Sequence, residues 1–228
     1  MHAAANVLPM PSAGPSLGHK WIKANTLVAI TFPLTTNLLP FVLNKAFFGM
    51  SATVFSWGNA ALAFFVVVVN VAVYAIQTGS VLSQKLPAFS RRTWIAAHLA
   101  FGSAFGLIMA IANFGPDGGG GSSPTGQYAT VNFLIGAFVV LPTVGVLLGG
   151  LQALVLRRAA RGMLAWTAGF AIAFTTVFVL GPMVVGTALI SFQSQVMTSI
   201  AANILSAAMV MVMALIMLPA FNRLTPKN

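Results

Sequence analysis

The stretch GGLQALVLRRAARGMLAW, Gly149–Trp166, decides the fold of this protein. An apolar run ends there in Arg157, Arg158 and Arg161, and a second apolar run follows at once. The chain contains a single acidic residue, Asp117, so these three arginines have no matching set of carboxylates. Unpaired cations between two long apolar runs are typical of a loop between membrane helices, where arginine stems lie along apolar surface and the charges meet lipid phosphate.

The composition of the whole chain agrees with this interpretation. Of 228 residues, 58% are hydrophobic and 5% are charged, whereas an ordinary soluble domain carries about 25% charged residues. A soluble fold with so few polar residues cannot cover its surface, so most side chains must face hydrocarbon. The net charge of +10 favours anionic lipid headgroups rather than nucleic acid as partners, because the cations form short clusters between apolar runs.

Six apolar windows meet the requirement of about 20 helical residues for crossing a hydrocarbon layer. They are approximately Ala24–Leu43, Ser51–Ile76, Thr93–Asn113, Ala129–Leu156, Met163–Ile190 and Val196–Phe221. The predicted fold class is therefore all-α, a polytopic bundle of six transmembrane helices over residues 24–221. Residues 1–23 are predicted to be a flexible tail, since Pro9, Pro11 and Pro15 interrupt any helix there. Residues 222–228 form the predicted C-terminal tail.

The charges between the windows are segregated. With six spans, one side receives only Lys45 and Asp117, and the other receives ten basic residues: Lys20, Lys23, Lys85, Arg91, Arg92, Arg157, Arg158, Arg161, Arg223 and Lys227. The positive-inside rule then predicts that both termini are cytoplasmic, in a cell inner membrane. Within this set, the predicted lipid headgroup anchors are Arg91, Arg92, Arg157, Arg158 and Arg161.

The loop after the second window repeats the pattern of the opening stretch. GSVLSQKLPAFSRRTW, Gly79–Trp94, also contains a small residue, a Gln, a Leu, paired Arg and a Trp that leads into the next window. The spacing differs, because fewer residues separate Gln84 from Trp94 than separate Gln152 from Trp166. Duplication of one hairpin and independent origin both remain open, since basic loops with flanking Trp recur through membrane physics alone.

The second copy resembles a G-x-x-Q-x-L-x-L-R pattern found in many uncharacterised bacterial multi-pass membrane proteins. The matching residues are Gly149, Gln152, Leu154, Leu156 and Arg157. The resemblance covers one hairpin of the chain. It implies a bacterial membrane protein built from helical hairpins, and it implies no activity.

Residues suited to catalysis or to binding hard cations are scarce. None of the six windows contains Asp or Glu, and the chain has no cysteine. The sequence PDGGGGSSPTG around Asp117 lacks the Gly-Lys-Ser/Thr ending of a phosphate loop, so it is interpreted as a linker. General acid–base catalysis and carboxylate-driven proton coupling need groups that the windows do not supply. We therefore predict that the protein is not an enzyme and has no cofactor.

His98 is the only histidine inside a window, with Gly102 and Gly106 following on the same helix face. A single axial ligand to a tetrapyrrole stays open. Because no second His, Cys or carboxylate is embedded, we favour a close-packed face across which His98 forms a hydrogen bond.

Neutral polar residues at helical spacing predict which faces turn inward, since an amide without a partner is costly in hydrocarbon. The candidate polar seam consists of Asn37, Asn59, Asn70, His98, Asn132 and Asn203. We interpret it as an interhelical packing seam, and the alternative is a path for a solute. Pro33 and Pro40 bracket Asn37, so the first window should be kinked or partly unwound.

The function expected from these features is a noncatalytic subunit or scaffold of a membrane assembly. Its partners would be the lipid bilayer, anionic headgroups on the cytoplasmic side, and other membrane subunits or a second copy of the chain. The alternative hypothesis is a channel or partner-driven permease for a neutral small solute, with an energising partner docked on the basic loops.

Overall fold

The computed structural model describes residues 16–35, 52–114, 136–190 and 195–227. Within these ranges the side chains of 52–57, 59, 108–114, 136–137, 181–190, 195–196 and 198–199 are not described. The described residues are almost entirely α-helical, which confirms the predicted all-α class. Within the described ranges, four helical segments are long and apolar enough to cross a membrane: Ala60–Lys85, Phe138–Leu156, Met163–Leu180 and Ile200–Arg223.

Each of the six predicted windows overlaps one helix. The helices are α1 (Leu17–Pro33), α2 (Ala52–Lys85), α3 (Arg91–Phe114), α4 (Leu141–Leu156), α5 (Met163–Ile190) and α6 (Gln195–Arg223). A π-helical segment, Gly136–Val140, leads directly into α4. Two short strands, β1 (Ala160–Arg161) and β2 (Thr225–Pro226), pair antiparallel. α5 has the bounds that the sequence predicts.

α1 begins inside the segment that was predicted to be a flexible tail ending at residue 23. Ser16 caps the helix, because its Oγ accepts a hydrogen bond of 3.2 Å from the backbone N–H of His19. Trp21, in the second turn, is fully buried. The first turns of α1 therefore belong to the core. Average hydropathy places the start too late because Lys20 and Lys23 interrupt the apolar run.

The predicted tail 222–228 also differs from the structure. α6 continues to Arg223, and Thr225–Pro226 then pair with Ala160–Arg161 of the loop between α4 and α5. The backbone N–H of Lys227 donates to the carbonyl of Ala159 at 3.0 Å. The end of the chain is thus hydrogen-bonded to a loop that precedes it by more than 60 residues.

The helices pack side by side in the order α3, α2, α1, α6, α5, α4, and contacts between α3 and α4 close the ring. Glycines allow several of these close approaches. A Cβ added to Gly102 of α3 would lie 2.8 Å from Cγ1 of Val71 on α2. A Cβ added to Gly106 would lie 3.3 Å from the Phe64 ring. Gly102 and Gly106 therefore form a packing surface against α2. The predicted hydrogen bond of His98 across this face is not formed among the described residues, because His98 Nδ1 meets the Trp94 carbonyl of the same helix.

α1 changes its helical pattern after Pro33. Leu34 and Thr35 have π-helical hydrogen bonding, as expected where a proline removes a backbone N–H from the helix. This agrees with the predicted irregularity at Pro33. Pro40 lies outside the described residues.

Among the residues whose burial is described, the main buried cluster lies at the end of the bundle where α1, α3 and α5 begin and α2, α4 and α6 end. The side chains that are fully buried there include Trp21, Trp94, Trp166, Phe221, Leu82, Leu86, Leu156 and Leu224. The same helix ends and loops carry most of the basic residues, so we call this part of the molecule the basic end.

Candidate functional site at the basic end

The basic end collects ten of the eleven basic residues of the chain, and the eleventh, Lys45, lies outside the described residues. The five predicted headgroup anchors are all exposed: Arg91, Arg92, Arg157, Arg158 and Arg161. The described residues contain no Asp or Glu. The cations that contact protein meet neutral groups instead. Lys85 Nζ donates to the carbonyl of Asn222 at 3.4 Å and lies 4.6 Å from the centre of the Phe221 ring.

An aromatic cluster of Trp21, Trp94, Trp166 and Phe221 fills the interior of the basic end. Trp21 stacks on Phe221 with ring centroids 4.8 Å apart. Trp166 meets Trp21 edge to face at 5.9 Å and Trp94 edge to face at 6.2 Å. These four residues come from α1, α3, α5 and α6, so the cluster joins four of the six helices. Stacked and edge-to-face pairs at such distances contribute beyond the burial of apolar area alone.

Every indole N–H of this cluster has a hydrogen-bond partner. Trp21 Nε1 donates to the carbonyl of Ala214 at 3.1 Å. Trp94 Nε1 donates to Thr78 Oγ1 at 3.2 Å, and Trp166 Nε1 donates to Gln152 Oε1 at 3.0 Å. The buried tryptophans therefore do not leave a donor open to a ligand.

The two similar hairpins use different residues for the same hydrogen bond. In the α4–α5 hairpin, Gln152 of the first helix bonds the tryptophan of the second helix. In the α2–α3 hairpin, Thr78 takes this role, whereas Gln84 is exposed and accepts from Lys20 Nζ at 2.8 Å. Gln84 and Gln152 correspond in the two similar loop sequences. In the structure they are not equivalent in position or contact.

His98 is buried within α3 and packs on Trp94, with ring centroids 4.1 Å apart. Its Nδ1 lies 2.9 Å from the carbonyl of Trp94. Since a carbonyl only accepts, Nδ1 carries the proton and Nε2 is an acceptor. Nε2 is buried and has no hydrogen-bond partner among the described residues. No group of three His, Cys, Asp or Glu that could hold a metal ion occurs in the described part of the chain.

The candidate polar seam is divided between helix pairs. Asn70 of α2 accepts a hydrogen bond of 2.8 Å from Thr35 Oγ1 beyond α1, and its Nδ2 donates to the carbonyl of Val66. His98 contacts Trp94 and lies beside Tyr74 across the α2–α3 pair. Asn203 is partly buried on α6. Asn37, Asn132 and the side chain of Asn59 lie outside what the structure describes.

Three buried polar residues were missed by sequence reasoning: Asn25, Thr78 and, as a hydrogen-bonding residue, Gln152. Asn25 is 3% exposed and donates to the carbonyl of Trp21, whereas its neighbour Thr26 is exposed. The spacing of Trp21, Asn25 and Val28 identifies the buried face of α1, since these positions lie on successive turns. That signal was available in the sequence.

The chain contains one Gly-x-Ser-x-Gly sequence, GPSLG at 14–18. In serine hydrolases this motif places the serine on a turn between a strand and a helix, with a histidine and an acidic residue. Here Ser16 is the N-cap of α1 and accepts from the backbone of His19. The only acidic residue of the chain, Asp117, is not among the described residues. The motif is accounted for as a helix cap.

Comparisons of this chain with known protein families, with curated proteins and with solved structures found no match.

Proposed function

We propose that this protein is a noncatalytic subunit or scaffold of a membrane assembly. In this proposal six helices span a bacterial inner membrane, and the basic end with both termini faces the cytoplasm. The observation that supports it is the closed interior of the basic end, where aromatic rings from four helices pack on one another and their N–H groups are satisfied within the protein. Such an interior holds the helices in register and offers no site for a substrate.

The outer surface of the basic end supports the same proposal. Its exposed arginines surround the closed interior and meet no carboxylate among the described residues. Positive charge of this kind attracts the anionic lipids of the cytoplasmic leaflet, at about 1 kcal/mol for each Lys or Arg near the surface. The arginines therefore anchor the bundle and fix its orientation, and the apolar flanks remain for contact with other membrane subunits or a second copy.

The alternative of a path for a neutral solute has less support. Asn70 belongs to the candidate polar seam, and both polar atoms of its amide already form hydrogen bonds within the protein. Its Oδ1 accepts from Thr35, and its Nδ2 donates to the carbonyl of Val66. An amide whose hydrogen bonds are already formed within the protein is a weak candidate for binding a solute that crosses the membrane.

Crosslinking from the lipid-facing surface tests the proposal. A photoreactive amino acid is placed at one exposed apolar position at a time, including Phe138, Leu164 and Ile204, which are 73%, 85% and 64% exposed. The expected result is a protein adduct of one defined mass from neighbouring positions on one face. The same positions should give no such adduct after the assembly is dissociated with harsh detergent.

A flux assay tests the alternative directly. Proteoliposomes containing the purified chain alone are diluted into urea, glycerol or sugar solutions, and their swelling is compared with that of empty vesicles. The scaffold proposal predicts equal swelling. Lipid adducts at every crosslinking position together with rapid protein-dependent swelling would reject the scaffold in favour of the permease.

A further inference from the structure

A cleft of about 230 Å³ lies between α1 and α2 at the basic end. Its polar lining is formed by Lys20, Lys23, Gln77, Ser80 and Gln84, and Leu27 and Val81 contribute apolar surface. The cleft lies apart from the aromatic cluster, whose side chains are not part of its lining. Its shape and chemistry are therefore a separate feature of the molecule.

The chemistry of the cleft changes along the helix axes. Lys20 Nζ donates to Gln84 Oε1 at 2.8 Å, which sets these two residues at the same level near the outer end. Because α1 and α2 are antiparallel there, Lys23 lies level with Val81, which follows Ser80. Leu27 lies level with Gln77. Lys20 and Leu27 are separated by about 10 Å along α1, at 1.5 Å per residue. Both cations therefore lie in the outer part of the lining, and the inner part presents Leu27, which is 44% exposed on the apolar flank, beside the neutral amide of Gln77.

The positive charge of the cleft is not balanced by the surrounding protein. The described residues contain no carboxylate side chain, and the partner of Lys20 is a neutral amide. The Gln84 amide is itself held in place, because its Nε2 donates to the carbonyl of Ser80 at 3.2 Å. Two lysines beside a neutral amide form a site for an anion from outside the protein, and a lysine ammonium supplies several charge-assisted hydrogen bonds to phosphate oxygens.

We propose that this cleft binds one anionic phospholipid. Lys20 and Lys23 hold its phosphodiester, Gln77 and Ser80 contact the glycerol ester region, and the acyl chain continues along Leu27. An inorganic phosphate has the same charge chemistry but uses only the lysine end of the cleft. This inference rests on the membrane placement of the basic end in the proposed function, and it is independent of the scaffold role.

The test uses native mass spectrometry of the full chain in a neutral detergent. The protein is titrated with phosphatidylglycerol, phosphatidylcholine or inorganic phosphate at 0.15 M ionic strength, where the Debye length is about 8 Å. The expected result is one tightly retained phosphatidylglycerol, with neither of the other two compounds retained. Replacing both lysines, Lys20→Ala with Lys23→Ala, should weaken phosphatidylglycerol binding roughly 25-fold, since each cation near an anionic lipid contributes about a factor of five.

Two further variants separate the cleft from the general charge of the basic end. Arg223→Ala with Lys227→Ala removes the same charge from exposed positions that belong neither to the cleft nor to the five headgroup anchors, and it should change binding by less than threefold. Gln84→Glu retains the contact with Lys20 as an ion pair, so the protein should fold, and its carboxylate should compete with the phosphodiester. Binding should fall at least fivefold in that variant.

The proposal is overturned if the control variant and the variant that lacks both cleft lysines weaken binding equally, or if Gln84→Glu binds phosphatidylglycerol as tightly as the wild type. Retention of inorganic phosphate at the same concentration as the lipid also overturns it, because the apolar part of the cleft would then contribute nothing. A chain that lacks protein partners can still retain the lipid, and a chain with partners can fail to retain it. The failure of this inference is thus distinguishable from failure of the proposed function.

Discussion

The indole rings of Trp94 and Trp166 pack edge to face, with centroids 6.2 Å apart and planes at 74°. Each tryptophan lies in the first turn of the second helix of a hairpin and donates its N–H to the first helix of the same hairpin. Each hairpin is therefore closed by its own hydrogen bond, and the two are joined by a contact between rings. This relationship joins the two hairpins at the basic end, where both loops bring their helices together.

The hydrogen bond between Gln152 and Trp166 should contribute measurably to stability. Gln152→Leu keeps the approximate volume but leaves the buried indole N–H without its acceptor, so we expect a loss of about 1 to 2 kcal/mol in the free energy of unfolding. Equilibrium unfolding in mixed micelles measures this change in the free energy of unfolding. Gln84→Leu, at an exposed position, should change stability by less than about 0.5 kcal/mol. Trp166→Phe in the Gln152→Leu background should cost less than it does alone, and strict additivity would contradict the assigned contact.

Gly162 should not tolerate a side chain. Its φ is +94°, and an added Cβ would lie 2.7 Å from the carbonyl oxygen of Arg223. Gly162→Ala should therefore destabilise the protein by about 1 to 2 kcal/mol from backbone strain alone, and more from the clash. Gly150→Ala is the matched control, because an added Cβ there meets nothing within 4 Å and the residue is inside α4. That control should be neutral or stabilising by up to about 1 kcal/mol. Equal melting temperatures for the two variants would contradict the described loop geometry.

The loss of stability from a larger residue at Gly102 should be reduced by a smaller residue on the facing helix. Gly102→Ala places a methyl group 2.8 Å from Val71 Cγ1, so the helices must separate, at a cost of about 1 to 3 kcal/mol. Val71→Ala removes the obstructing atoms. In the double variant we expect the cost of Gly102→Ala to fall by at least half, as measured by thermal unfolding in detergent. A double variant as unstable as the sum of the single variants would show that the two residues are not in contact.

The hydrogen bond from Thr35 to Asn70 should be weak. Thr35 Oγ1 also lies 3.0 Å from the carbonyls of Thr31 and Phe32, so its single proton is shared among three acceptors. Thr35→Val keeps the shape of the side chain, and we expect a loss near 0.6 kcal/mol, the average for interhelical bonds in membranes. Partner crosslinking should be unchanged. If stability is retained but a neutral solute no longer protects the variant against heat, the residue binds solute and the packing interpretation is wrong.

The orientation of the basic end can be tested with single cysteines, because the chain has none of its own. Ala88 is exposed in the loop between α2 and α3, and Gly119 lies in the Gly-rich segment after α3. In intact cells an impermeant thiol reagent should label Gly119→Cys only, whereas both variants should be labelled after the membrane is opened. Labelling of Ala88→Cys in intact cells would place the basic end outside.

The helical windows were predictable because hydropathy is a sum over residues and does not depend on contacts. α3 and α5 closely match their predicted windows. The errors occur at the basic end. The start of α1 and the pairing of Thr225–Pro226 depend on a buried tryptophan and on a β ladder to a distant loop, and a local average of hydropathy contains neither.

The sequence by itself determined the class of protein, the number of helical windows and the collection of cations on one set of loops, because composition and charge order suffice for these properties. Only the tertiary structure decided which polar group of the α2–α3 hairpin is buried beside its tryptophan, Thr78 rather than Gln84. The physical reason is that a helix that is apolar on all sides has no hydrophobic face that reports its rotation. Adjacent residues differ by about 100° around the axis. The direction of each side chain is therefore decided by which glycines allow close approach and which indoles find acceptors on a neighbouring helix.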